Sequence, residues 1–322
     1  MARPKQQRID PTKVARAARS QKKVIPPKAK VKKAGPADWI AGARIRTLPL
    51  AVAPVALGTA AAYVYSFEWH WVRALLCLAL AVLLQIGVNY ANDYSDGIRG
   101  TDAHRVGPSR LTGSGAAKPR TVLAVALTFF ALGALAGLAV VVLSGQWWLL
   151  AVGAACIAAG WFYTGGRRPY GYYGLGELFV FVFFGLVATA GTMYVQVGDV
   201  SLEGWMAGVA AGLLACAVLV SNNMRDIEQD RVSGKRTLSV LIGITASRIL
   251  FTVLLLAPFV ILFFFGLVYL LAPYVFFVLL LAIPTAIIAL TGKTAAEFLL
   301  VLKLTSLTAL LFALGLGAAL VF

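Results

Sequence analysis

Nine long apolar stretches constrain this chain more than anything else in it. They run over residues 47–66, 71–92, 121–143, 147–163, 176–197, 204–222, 246–270, 273–290 and 297–321. A helix needs about 20 apolar residues to cross a bilayer's hydrocarbon core. There every backbone N–H and C=O must find its partner inside the protein, so a helix is the form such runs can take. Charged residues are only 13% of the chain, against roughly 25% in soluble domains. The expectation is an all-α polytopic bundle of nine transmembrane helices. Short breaks such as 144–146 and 272–274 join neighbours as hairpins, and the small-residue run 131–139 lets helices approach closely. Pro49, Pro54, Pro258 and Pro284 fall inside spans, which is tolerated where neighbours satisfy the freed carbonyls.

Charge fixes the expected orientation. Residues 1–36 hold twelve Lys or Arg against one acid, Asp10. This reads as a solvated basic tail, residues 1–38, lying near anionic headgroups. It lacks aromatic residues to stack on bases, so no nucleic acid is expected as a partner, and no apolar segment follows that would make it a signal peptide. The transmembrane domain then occupies 39–322. With the tail in the cytoplasm, the loops at 93–120, 164–175 and 223–247 are cytoplasmic too, and they carry nearly all the remaining loop Lys and Arg. The expected location is the cytoplasmic membrane, with the lipid bilayer as a partner. Cys77, Cys156 and Cys216 lie in apolar spans and read as core residues. His70 and His104 are too far apart for a metal pair, and Glu297 and Lys303 are read as structural.

Against that background the acids are informative. Of 13 Asp and Glu, six lie in two stretches, "NYANDYSDGIRGTD" (89–102) and "SNNMRDIEQDRVSGKRT" (221–237). Each follows an even-numbered span, the second and the sixth, which suggests two pseudo-symmetric four-helix halves with a ninth helix added. Asn89, Asn92, Asp93 and Asp96 fall at i, i+3, i+4 and i+7, and Asn222, Asp226 and Asp230 at i, i+4 and i+8. Each set lies on one helix face. Two facing acidic stripes repel unless something positive sits between them.

Carboxylate and amide oxygens are hard ligands suited to Mg²⁺, which is typically held by one or two carboxylates plus substrate phosphates. Two Asp clusters therefore fit Mg²⁺ clamped on a diphosphate, with Arg99, Lys118, Lys235 and Arg236 contacting its other oxygens. Apolar walls behind them suit an isoprenoid chain. Tyr163, Tyr170, Tyr172 and Tyr173 offer aromatic faces to an allylic cation, or serve as interfacial anchors.

These paired motifs resemble the UbiA superfamily of intramembrane aromatic prenyltransferases, whose motifs are N-D-x-x-D-x-x-x-D and D-x-x-x-D. Asn92, Asp93 and Asp96 match the first, and Asp226 and Asp230 the second. Gly100 stands where the general family has the last Asp, and the nearest acid is Asp102. That departure, with "RVGPSRL" (105–111), "RIRTLPLAVAPVALG" (44–58), "YGLGE" (173–177) and "NNMRDIEQDRVSGKRTL" (222–238), is similar to the 1,4-dihydroxy-2-naphthoate polyprenyltransferase branch. The resemblance covers roughly 39–321.

It implies a reaction in which a polyprenyl diphosphate prenylates 1,4-dihydroxy-2-naphthoate with loss of CO₂ and diphosphate, giving demethylmenaquinone after oxidation. It also implies that Asp93, Asp96, Asp226 and Asp230 hold Mg²⁺, supported by Asn92 and Asn222. Arg44 or Arg167 would pair with the acceptor carboxylate, or act as a positive-inside anchor. Glu177, an acid at the cytoplasmic border of the fifth span, binds acceptor or neutralises an Arg. The rivals are another acceptor, such as 4-hydroxybenzoate, homogentisate or a sugar phosphate, and, in a different class, a secondary transporter. The acids sit at helix ends and not at mid-span, which argues against transport.

Overall fold

The computed structural model describes residues 33–101 and 110–322. Asp102 and most of the basic tail lie outside the described residues. A short helix α1, Pro36–Gly42, and a 3₁₀ turn, Ile45–Thr47, lead into nine apolar helical segments. These are α2 (Pro49–Ser66), α3 (Trp71–Arg99), α4 (Pro119–Ser144), α5 (Leu149–Phe162) and α6 (Gly176–Val197). They continue with α7 (Leu202–Val232), α8 (Leu238–Gly266), α9 (Leu279–Thr291, after the 3₁₀ stretch Ala272–Val278) and α10 (Ala295–Val321).

Among the described residues, eight of the nine are long and apolar enough to cross a membrane, α9 being so together with the 3₁₀ stretch that precedes it (Ala272–Thr291). The exception is α5, expected over 147–163 but helical for only 14 residues. At 1.5 Å per residue it spans about 21 Å, short of a core of about 30 Å. The chain beyond it, 163–175, turns back through Gly166 (φ 75°) and a 3₁₀ turn at Tyr170–Tyr172. Its aromatic residues pack beside the acid motifs and do not prolong the span.

By contrast α3 and α7 are over-long, at 29 and 31 residues. Each is about 45 Å by the same arithmetic, about 15 Å longer than the hydrocarbon core, and the two motifs lie in their C-terminal turns. Gly100 ends α3 in the left-handed region (φ 74°), where its N–H and that of Thr101 close on the Asp96 carbonyl. A glycine is favoured at that position because it has no Cβ to clash. The pairing of α3 with α4 recurs as α7 with α8, four helices later, and α10 packs on α2 and α7.

The main core is built from α2, α7, α8, α9 and α10 around Phe251, Leu255, Phe312 and Leu316. Close backbone approach holds α6 to α7. A Cβ on Gly185 would stand 2.5 Å from Gly212 Cα, so neither position has room for a side chain. Around Gly185, residues Phe181–Val187 form a π-helical stretch, a feature frequent at functional sites. Trp71, Trp147 and Trp148 are exposed at the ends remote from the acids, as expected of an interfacial belt. At the start of α10, Glu297 closes a capping box with Thr294, the structural role expected of it.

Candidate active site

A cavity of about 520 Å³ lies among α2 to α7. One end is polar and the other apolar. Its polar end brings the two motifs together: Asn89, Asn92 and Asp96 from α3, and Asn222, Asp226 and Asp230 from α7. The local cause is helical spacing. At about 100° per residue, Asn89, Asn92 and Asp96 share an arc of about 60°. Asp93 falls at about 40° beyond its far edge, and it does not line the cavity. Both its carboxylate oxygens instead accept backbone hydrogen bonds, from Leu111 N–H at 2.9 Å and Thr112 N–H at 2.8 Å. Asp93 thus holds the start of the segment that leads into α4.

Each cavity carboxylate has a cation beside it. Arg110, the residue next to that anchored pair, reaches Asp96 at 3.8 Å. Arg225 forks onto Asp226 at 2.7 and 2.6 Å. Lys235 Nζ is 3.9 Å from Asp230. The 163–172 turn closes the same end: Thr164 Oγ1 donates to Asn92 Oδ1 at 2.7 Å, and the Tyr172 hydroxyl donates to Asp96 at 2.8 Å. Burial, and then the Asp96 charge, push the Tyr172 phenol above its ordinary range, so it stays a donor. Arg110, Arg225 and Thr164 carry no spacing signal in the sequence: Arg225 precedes its partner directly, and i,i+1 residues do not normally face each other on a helix.

The other candidates separate. Lys235 lines the cavity. Arg99 instead donates to the carbonyls of Thr164 and Gly166 and lies over the Tyr172 ring at 5.5 Å, clamping the turn. Lys118, Arg167 and Arg236 are exposed, away from the cavity. Glu177 accepts from Asn223 Nδ2 at 2.9 Å, and Asn223 itself lines the cavity. Tyr163 lines it too, packed edge-on to Tyr170, which stacks on Phe179 at 3.9 Å.

Arg44 also reaches the cavity wall, from a left-handed backbone (φ 54°). That conformation costs about 1–2 kcal/mol in an ordinary residue. Here Thr47 stabilises it by donating both its N–H (2.8 Å) and its hydroxyl (2.9 Å) to the Arg44 carbonyl, while Asn89 Nδ2 grips the Ala43 carbonyl.

Beyond this polar end the walls turn apolar, through Leu84, Val88, Phe183, Val187, Val141 and Val195. Gly153 and Gly191 face open space in it, since a Cβ on either would meet nothing within 4 Å.

No three His, Cys, Asp or Glu side chains among the described residues converge closely enough to cage a metal by themselves. The donor set still fits Mg²⁺. It consists of hard oxygens only, from two helices, and Mg²⁺ completes its shell with waters and substrate phosphates.

The chain matches the UbiA prenyltransferase family over residues 51–297. It is 52% identical over 301 residues to a 1,4-dihydroxy-2-naphthoate octaprenyltransferase of Mycobacterium tuberculosis (strain ATCC 25618 / H37Rv), covering 89% of this chain and 97% of the relative. It is 40% identical over 218 residues to the octaprenyltransferase of the same description from Escherichia coli (strain K12), covering 65% and 70%. Among solved structures, the apo form of a UbiA homolog from Aeropyrum pernix K1 superposes with TM-score 0.64 at 18% identity, covering 85% of this chain and 98% of that one. A UbiA homolog from Archaeoglobus fulgidus bound to GPP and Mg²⁺ superposes at 0.59 and 16% identity, covering 88% and 99%.

Proposed function

The chain belongs to the UbiA prenyltransferase family, and from that premise we propose that it transfers a polyprenyl group from polyprenyl diphosphate to 1,4-dihydroxy-2-naphthoate. One observation carries the reading: a single cavity has two carboxylate–amide stripes at one end, each carboxylate with a cation beside it, and apolar walls at the other. A prenyl diphosphate has the same two-ended chemistry.

In this reading Asp96, Asp226 and Asp230, with Asn92 and Asn222, hold Mg²⁺. When bound, the metal neutralises diphosphate oxygens and makes the group a better leaving group. Arg110 and Lys235, already at the carboxylates, turn their charge to the remaining oxygens. Asp93 acts by placing Arg110 and is a positioning residue. The apolar end takes the prenyl chain and excludes water from the allylic carbon, while Tyr163, Tyr170 and Phe179 offer ring faces to positive charge developing there. Arg44 takes the acceptor carboxylate. Breaking the allylic C–O bond releases diphosphate, and the electron-rich ring forms the new C–C bond. Loss of CO₂ restores aromaticity and leaves the prenylated quinol as the product of this step. No His or unpaired base is required, because the acceptor is already an activated phenol.

We place the N-terminus and both motifs on the cytoplasmic face of the plasma membrane, from the Lys and Arg asymmetry of the loops, and the domain boundary near residue 38. The test is an acceptor panel with purified protein and polyprenyl diphosphate. Diphosphate release with dihydroxynaphthoate, and not with 4-hydroxybenzoate or homogentisate, is expected. Release with either alternative at a comparable rate would refute the acceptor assignment, and no release with any would refute the enzyme.

A further inference from the structure

Glu177 is an acid that the reaction proposed above leaves unused. It stands at the second residue of α6, half-buried at the border of an apolar span, where a carboxylate is costly to keep without a partner. Among the described residues no Lys or Arg forms an ion pair with it. Its side chain is met instead by an amide: Asn223 Nδ2 donates to it at 2.9 Å. The backbone there is pinned to the same neighbour, since Cys216 Sγ donates to the Glu177 carbonyl at 3.1 Å. Residues 216 and 223 are seven apart, about two turns, so both bonds leave one face of α7. A carboxylate can only accept, so the Asn223 amide turns its NH₂ to Glu177 and its oxygen away. Asn223 is 7% exposed and lines the cavity, whereas Glu177 does not. Asn223 Oδ1 has no hydrogen-bond partner among the described residues, yet it is not shut away: it stays open to the cavity.

The level at which that oxygen stands narrows what meets it. Along α7 the cavity lining passes from Val218 and Leu219, which are apolar, to Asp226 and Asp230. Asn223 lies at the change, about 4.5 Å along the helix axis from Asp226. The allylic carbon is bonded to a diphosphate oxygen and carries the apolar chain, so it belongs at this same boundary, and the ring that attacks it must come to this level. An open acceptor oxygen calls for a ligand that brings a donor. The prenyl chain has none, and a fully ionised diphosphate has only acceptors. The aromatic acceptor brings its ring hydroxyls. We infer that Asn223 is a specificity-determining residue that accepts a hydrogen bond from one of those hydroxyls, and that Glu177 is a positioning residue that holds the amide with its oxygen toward the ring. The inference rests on the proposed acceptor class. A metal-bound water is the competing donor, and the test separates the two.

A site built to pair a substrate hydroxyl discriminates against the analogue lacking it, because its own polar atom is then left unmet. Equilibrium binding of 1-hydroxy-2-naphthoate, 4-hydroxy-2-naphthoate and plain 2-naphthoate to the full chain in nanodiscs, with Mg²⁺ and inorganic diphosphate present, reads this directly. Wild type should bind one of the hydroxylated probes about tenfold or more tighter than 2-naphthoate. Asn223→Leu, close in shape but without the amide, should erase that preference to within about twofold and leave Mg²⁺-dependent binding of inorganic diphosphate unchanged. Glu177→Leu frees the amide to turn and should lower the preference too; it decides the matter if Asn223→Leu does not fold. Glu177→Gln still offers an oxygen to Asn223 Nδ2 and should keep the preference, a rescue that a charge effect would not give. Absence of the preference in wild type, or its persistence in Asn223→Leu, or in Glu177→Leu where that variant decides, would overturn the inference. Loss of diphosphate binding with the preference intact would assign the amide to the metal and overturn it equally, and loss in Glu177→Gln as in Glu177→Leu would refute the positioning role. Wild-type turnover of dihydroxynaphthoate in parallel separates the outcomes. If turnover is intact but the variants leave the preference unchanged, only this inference fails; if wild type gives no turnover, the acceptor reading fails with it.

Discussion

Replacing Asp93 by Asn should loosen a loop before it disables any metal ligand. The Asp93 carboxylate is 2% exposed and accepts from Leu111 N–H and Thr112 N–H with one oxygen each. Asn offers one oxygen and one NH₂, so one backbone N–H loses its acceptor and meets another donor. A hydrogen bond to a charged group contributes about 1.5–3 kcal/mol, and leaving a buried donor unmet costs about 1–3 kcal/mol. These overlap, so the local cost is about 2–4 kcal/mol. At about 1.4 kcal/mol per tenfold, opening of the 110–117 segment becomes roughly 30- to 700-fold more frequent. Arg110, one residue before the anchored pair, then leaves Asp96. Hydrogen–deuterium exchange should accelerate in peptides covering 110–117 and stay unchanged in α8, and KM for the donor should rise more than kcat falls. Asp96→Asn is the control: kcat should collapse with little change in exchange at 110–117. If Asp93→Asn instead leaves exchange at its wild-type rate and abolishes kcat as Asp96→Asn does, Asp93 acts on the metal itself and the positioning role is refuted.

Three further outcomes follow from the same geometry. Asp226→Asn should lower kcat by about 10²-fold or more, because it removes a hard anionic ligand and half of the Arg225 fork; single-turnover rates check it, and activity within a few-fold of wild type would exclude a ligand role. Tyr172→Phe, which deletes the donor to Asp96, should lower kcat/KM by about tenfold, matching a hydrogen bond to a charged group, with expression unchanged. Gly191→Phe or Gly153→Phe fills open cavity space without a clash at Cβ, so turnover of an octaprenyl donor should fall steeply while a geranyl donor is still used; equal losses for both would place the chain elsewhere.

Much of this was legible because helical spacing is arithmetic. The acids of α7 stand at intervals of four, and the structure puts Asn222, Asp226 and Asp230 on the cavity together. The α3 stripe was legible as a stripe but not at its edges: Asn92 and Asp93 are neighbours about 100° apart, and only packing decides which edge faces the substrate. The cations were harder. Arg99 and Arg236 stand in the motifs yet serve the 163–172 turn, Arg99 through its side chain and Arg236 through its backbone N–H to Tyr172. Arg110 directly precedes Leu111 and Thr112, whose backbone Asp93 holds. The shortness of α5 was not legible, because an apolar run does not reveal where the chain turns.

The most direct test of prenyl transfer at this cavity follows three products of one turnover. Dihydroxynaphthoate labelled at its carboxyl carbon is supplied with polyprenyl diphosphate and Mg²⁺. Labelled CO₂, diphosphate and the prenylated quinol should appear in a 1:1:1 ratio, and all three should stop together when Mg²⁺ is chelated and resume when it is restored. Diphosphate released without matching CO₂ and product, or product formed at an undiminished rate after chelation, would contradict the account.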